Sequence, residues 1–160
     1  LHLSLRRQRQ MCIRDRCYGV GTLGTHLGAP IDGTYAEPIS VVDVTLTEAG
    51  RVDPLLDRLP DRFPAFVGHK EAISRLPATA TLLASSPTCP VQMFRVGRNV
   101  YATQFHPELD LAGIVTRIHA YASYGYFAPD ELDLTLAAVR RTPVTATGGI
   151  LRAFVERYAD

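Results

Sequence analysis

The sequence lacks a long apolar run. No uninterrupted hydrophobic stretch of about 18 residues occurs, which excludes a transmembrane helix. It also lacks a strong charge of either sign: 17 basic and 16 acidic side chains leave a net charge of +1. That is far from the basic footprint of a nucleic-acid binder. The three cysteines, Cys12, Cys17 and Cys89, are odd in number and have no paired spacing. They make neither a disulfide framework nor a zinc motif, so a reducing compartment, the cytoplasm, is expected. No metal and no other cofactor is expected. Internal repeats and a phosphate-binding glycine–lysine string are absent as well. What is there is an ordinary globular composition: 160 residues, 46% hydrophobic and 21% charged. Such a chain can bury one sizeable core.

The charge is unevenly placed. Arg6, Arg7, Arg9, Arg14 and Arg16 crowd the first 16 residues against a single acid, Asp15. The remainder is mildly acidic. A transit peptide would be richer in serine, and a secretory signal would carry an apolar core. The string from Leu5 to Arg16 (LRRQRQMCIRDR) reads instead like translated adapter sequence fused to a coding frame. Residues 1–16 are therefore expected to be a non-native leader.

Beyond it, the patterning alternates between strand and helix. Gly19, Gly21, Gly24 and Gly28 accompany Leu23 and Leu27, one helical turn apart, and predict a short, loosely packed helix just after Cys17. Ile39 to Thr47 alternates with β-branched residues and predicts a strand. Val52 to Leu59 predicts a helical turn. Phe63 to Gly68 and Thr81 to Ser85 are further strands. Val91 to Val96 and Val100 to Phe105 predict a hairpin around Gly97-Arg98-Asn99. Then the period changes to helical. Leu111, Ile114, Val115, Ile118 and Tyr121 share one face. Pro129, Asp130 and Glu131 open a second helix, and Leu151, Phe154, Val155 and Tyr158 stripe a third. Strands followed by helices favour an α/β layer fold.

Two segments carry candidate chemistry. In Cys17-Tyr18-Gly19-Val20-Gly21, small neighbours suit a nucleophile on a sharp strand-to-helix turn. A helix starting there places its positive end near the sulfur and favours the thiolate. A buried structural cysteine before a glycine-rich turn is the competing reading. In Gln104-Phe105-His106-Pro107-Glu108, His106 follows a strand, where open α/β sheets place their sites. Glu108 can fold back and accept a hydrogen bond from the imidazole, fixing its tautomer. A surface loop with an incidental His and Glu is the bland alternative. A zinc site from Cys17, His69 and His106 lacks the paired spacing of metal ligands. Cys89, in Pro87-Thr88-Cys89-Pro90, reads as a spectator in a turn. Tyr121, Tyr124, Tyr126 and Phe127 read as core or as an oligomer contact.

Taken together, the two segments resemble the carboxyl-terminal part of a class I (triad-type) glutamine amidotransferase, close to the GMP synthase-like group. The resemblance runs from Cys17 to about Tyr126 and is most specific at Gln104-Phe105-His106-Pro107-Glu108. Val67-Gly68-His69-Lys70-Glu71 is similar to the family segment that lines the glutamine pocket. The resemblance implies a flavodoxin-like sheet with flanking helices, lacking its first strands, over residues 17–126. A helical extension would follow over 127–160.

It further implies Cys17 as nucleophile, His106 as general base and acid, and Glu108 as the residue orienting His106. The Tyr18 backbone N–H would be an oxyanion donor. Gly21, Gly68 and His69 would contact substrate. Glutamine is the implied substrate, and an ammonia-accepting synthetase on another chain a possible partner. Where the family carries Gly two residues before Cys and Gln four after, this sequence has Asp15 and Gly21. The altered pocket keeps a γ-glutamyl peptidase in view, and a non-catalytic module docking a synthetase is the reading from another class. With inner strands of a parallel sheet missing, the 160-residue chain is itself expected to be inactive.

Overall fold

The computed structural model describes residues 18–122 and 129–158. The leader, Cys17, the boundary at 126 and the aromatic cluster Tyr124, Tyr126 and Phe127 lie outside the described residues. Helix α1 (Tyr18–His26) comes first. It ends in a Schellman arrangement: Ala29 N–H donates to Gly24 O at 2.8 Å and Gly28 N–H to Thr25 O at 3.0 Å. Gly28 takes the left-handed conformation this requires, with φ +74°. Strand β1 (Ile31–Asp32) and strand β2 (Glu37–Leu46) flank a 3₁₀ turn at Gly33–Tyr35. Helix α2 (Glu48–Arg51) is one turn, capped by the Thr47 hydroxyl, which accepts from Gly50 N–H at 3.1 Å.

Strands β3 (Arg62–His69), β4 (Ala72–Ile73), β5 (Ala80–Ser85), β6 (Met93–Val96) and β7 (Val100–Thr103) follow. Helices α3 (Leu111–Ala122), α4 (Pro129–Arg141) and α5 (Gly148–Tyr158) complete the order. Strands β3-β2-β5-β6-β7 form one five-stranded sheet, and β1 pairs with β4 in a separate ribbon. Every pairing among the described strands is antiparallel. The sheet curls, so the segment after β7 returns to the far edge strand: His106 N–H donates to Phe66 O at 2.9 Å.

Alternation explains the sheet's two apolar faces. Val44, Leu46, Phe63, Ala65 and Val67 pack with Phe105, and α5 covers them with Ile150 and Phe154. Phe66 turns the other way and meets Ile114 and Ile118 of α3 and Leu136 and Val139 of α4. Each fully buried aliphatic or aromatic side chain of this kind contributes about 1.5–3 kcal/mol of transfer free energy. Val52–Leu59 forms the expected turns, Leu56 N–H donating to Asp53 O at 2.9 Å and Leu59 N–H to Leu56 O at 2.9 Å, and the one-turn α2 lies just before them. Thr47 supplies the cap there, whereas Asp53 accepts from Leu55 N–H at 3.0 Å and holds its own segment in turns.

Candidate active site

The end of β7 and the end of β3 converge on one place. After β7 the chain runs through Gln104, Phe105, His106 and Pro107, all buried. Phe105 anchors this stretch, edge-on to Phe63 with ring centroids 5.8 Å apart. His106 is only 2% exposed, and its backbone is tied to β3 by the bond to Phe66. Its Nδ1 lies 3.1 Å from Glu108 Oε1. With the ring proton on Nδ1 donated to that carboxylate, Nε2 keeps its lone pair and can take a proton. The sequence-predicted pair is therefore in hydrogen-bond contact.

Arg117 was not foreseen. Its Nη1 approaches His106 Nδ1 to 3.3 Å, while Nη2 donates to Tyr121 Oη at 3.1 Å. The guanidinium also sits over the Tyr121 ring, 5.4 Å from its centroid. The helical spacing of Arg117 and Tyr121 was visible in sequence, but nothing there tied that helix face to His106.

At the end of β3, Gly68 allows a close approach: a Cβ there would lie 2.9 Å from Ile39 Cγ1. His69 follows, its side chain buried, donating from Nε2 to Tyr35 O at 3.0 Å. The same Nε2 is 3.5 Å from Glu37 Oε2. Burial pushes the His69 imidazole below its ordinary pKa, and the His106 ring adds to this; the Glu37 carboxylate and the Tyr35 bond oppose it. His69 is thus a neutral ring at pH 7.

Glu37 is a second residue the sequence did not flag. It is buried at the start of β2, accepting from Gln92 Nε2 at 2.9 Å and from the Thr88 hydroxyl. Cys89 lies beside it, wholly buried, its thiol pushed up to about 11 chiefly by burial. Such a thiol is a poor nucleophile, in keeping with the spectator reading.

A cavity of about 1010 Å³ opens over these groups, lined by Gly21, Gly68, His69, Glu71, Arg117 and Tyr121 among others. It gathers the three residues expected to contact substrate. His106 and Glu108 are not among its lining residues; Arg117, which is, reaches His106 Nδ1. Tyr18 is the first residue of α1, so its backbone N–H belongs to the helix's first turn. Cys17 immediately precedes that helix in sequence. Gly21 leaves open space where a side chain would project. Among the described residues no helix is long and apolar enough to cross a membrane.

The family model described as "Glutamine amidotransferase class-I" matches residues 16–120. A curated relative, the glutamine-hydrolyzing GMP synthase of Pseudomonas fluorescens (strain Pf0-1), is 30% identical over 102 residues. That match takes in 58% of this chain but only 19% of the relative, so the chain spans about a fifth of that protein. The crystal structure of a glutamine amidotransferase from Thermotoga maritima superposes with a TM-score of 0.70 at 24% identity, over 96% of this chain and 68% of that one. A glutamine amidotransferase from Methylobacillus flagellatus gives 0.61 at 15% identity, over 88% and 61%. These two likenesses show a shared fold. With the family match spanning most of its length, the chain belongs to the class I glutamine amidotransferases, and its sequence is GMP synthase-like.

Proposed function

We propose that the parent protein uses this domain to hydrolyse the side-chain amide of glutamine, with Cys17, His106 and Glu108 as its triad. The observation that carries the reading is the 3.1 Å contact between His106 Nδ1 and Glu108 Oε1 in a segment similar to the family's catalytic one. Cys17 gives its thiol proton to His106 Nε2, and the thiolate attacks the amide carbon. The carbonyl electrons move onto oxygen, where the Tyr18 N–H stabilises the charge. As the tetrahedral adduct collapses, the C–N bond breaks and His106 protonates the leaving nitrogen, releasing ammonia. A γ-glutamyl thioester remains on Cys17. Water then gives a proton to His106 and attacks the thioester, the C–S bond breaks, and glutamate and the thiol are restored. Glutamine and water thus become glutamate and ammonia in two moderate steps.

Glu108 would hold the His106 ring in the right tautomer and stabilise the imidazolium. Gly68 and His69 would shape the pocket wall, and Gly21 its floor. Ammonia used for synthesis would pass to an acceptor enzyme on another chain. A second reading, hydrolysis of γ-glutamyl peptides, is favoured by one feature. The cavity lies at the upper end of the range for drug-sized ligands, about 300–1,000 Å³, and Gly21 leaves it unfilled.

A glutamine analogue bearing a diazoketone in place of the amide, applied to the parent protein, tests the proposal. The expected result is one covalent adduct on Cys17, found by peptide mass spectrometry and lost in Cys17→Ala. Absence of any adduct, with the protein folded, would favour the module that only docks a synthetase. Comparing ammonia release from glutamine with amine release from γ-glutamyl dipeptides separates the two hydrolytic readings.

A further inference from the structure

Glu37, His69 and Cys89 come from the start of β2, the end of β3 and the β5–β6 loop. All three are buried, and each offers one donor atom such that the three lie within 4.8 Å of one another. Their meeting is set by pairing: Glu37 stands directly opposite His69 in the β2–β3 register, just before the irregularity that ends at Ser40. The donor set is a thiol sulfur, an imidazole nitrogen and a carboxylate oxygen, the combination that suits a borderline-soft divalent ion.

Two observations make this more than a cluster. The first is geometric. Zinc–oxygen and zinc–nitrogen bonds of about 2.0–2.2 Å at a tetrahedral angle hold the two donor atoms about 3.3–3.5 Å apart. Glu37 Oε2 and His69 Nε2 stand at 3.5 Å, although the Nε2 proton is directed to Tyr35 O. The second is a buried polar atom without a hydrogen-bond partner next to the carboxylate: Gln92 Oε1. Gln92 is fully buried and donates from Nε2 to Glu37 Oε2, so this unpartnered oxygen belongs to a side chain that touches the cluster.

Charge points the same way. Glu37 is 4% exposed and bonded to two neutral donors, Thr88 and Gln92. Among the described residues no Lys or Arg pairs with it, and a buried carboxylate without a cation is costly. We propose that Glu37, His69 and Cys89 form a binding site for a zinc-class divalent cation. On binding, Cys89 releases its thiol proton to solvent and the sulfur bonds the metal as thiolate. The Sγ then gives up its 3.6 Å donation to Val91 O. The His69 ring proton shifts from Nε2 to Nδ1, the donation to Tyr35 O is given up, and the Nε2 lone pair bonds the metal. Dication, thiolate and carboxylate together are neutral, which suits a buried site. Thr88 and Gln92 orient the carboxylate as outer-shell partners do. Glu37 and His69 both line the cavity, which provides the route of entry.

The site does not depend on glutamine hydrolysis, and its test needs no substrate. The full chain, stripped with a chelator, is loaded with zinc, passed through a desalting column and assayed for retained metal. About one equivalent is expected. Cobalt(II) in place of zinc is expected to give a near-ultraviolet thiolate-to-cobalt charge-transfer band. Cys89→Ser should abolish the band, and Glu37→Gln should weaken binding at least tenfold while the protein stays folded by circular dichroism. Failure to retain metal would overturn the proposal. So would a band of unchanged intensity in Cys89→Ser, because Cys12 or Cys17 would then supply the thiolate. Should Cys89→Ser fail to fold, Glu37→Gln decides alone, and unchanged affinity there refutes the site.

Discussion

Two carboxylate–imidazole pairs stand near each other in this molecule, and they are built oppositely. His106 and Glu108 are two residues apart, joined through Nδ1 at 3.1 Å, with the carboxylate part-exposed. His69 and Glu37 are 32 residues apart in sequence, brought together by strand register, and stand 3.5 Å apart with both side chains buried. In the first pair the carboxylate engages Nδ1 and leaves Nε2 to move a proton. In the second, Nε2 is engaged by Tyr35 O and the carboxylate is held by Thr88 and Gln92. The contrast teaches that proximity of His and Glu does not define a role. Which ring nitrogen is engaged, and what else holds the carboxylate, does.

The sharpest way to break the contrast is His106→Asn. In ammonia-release assays of an active preparation it is expected to lower turnover about 10³-fold, within the range for losing a general acid–base group. Retained turnover would remove His106 from the chemistry. Glu108→Gln keeps the shape but accepts the Nδ1 proton less well, and should cost about 10²-fold in kcat with KM little changed. A raised KM with kcat unchanged would assign Glu108 to binding instead.

Glu37→Gln probes the other pair and should behave as a stability mutant. It puts an amide donor against the Gln92 amide, and should lower unfolding free energy by about 1–3 kcal/mol in urea titration. A native urea midpoint would mean that the Glu37 charge is not held as described. Gly68→Ala is the mildest change. Its Cβ meets Ile39 Cγ1 at 2.9 Å, and about 1 kcal/mol of overpacking cost is expected. Unchanged stability would show that β2 yields there.

The long strands and the late helices were legible because each holds its period over several residues. Ile39–Thr47 alternates, and α3 repeats its apolar face from Leu111 to Tyr121. The two-residue ribbon β1–β4 was not legible, since two residues have no period. Nor was the antiparallel order β3-β2-β5-β6-β7, because strand partners are chosen by packing rather than by local pattern. The turns in Val52–Leu59 were legible, but the one-turn α2 before them was not, since a single turn set by the Thr47 cap has no period.

The same division runs through the site. His106-Pro107-Glu108 announces its contact, because a residue and its neighbour two positions on can meet by a local fold of the chain. That contact, with the family resemblance, was in the sequence by itself. The approach of Arg117 to His106 and the gathering of Glu37, His69 and Cys89 were decided only in three dimensions. Each rests on a sheet that curls β7 back to β3 and on a register that sets Glu37 opposite His69. Hydrophobic burial drives that closure, and burial acts on whole faces rather than on neighbouring letters.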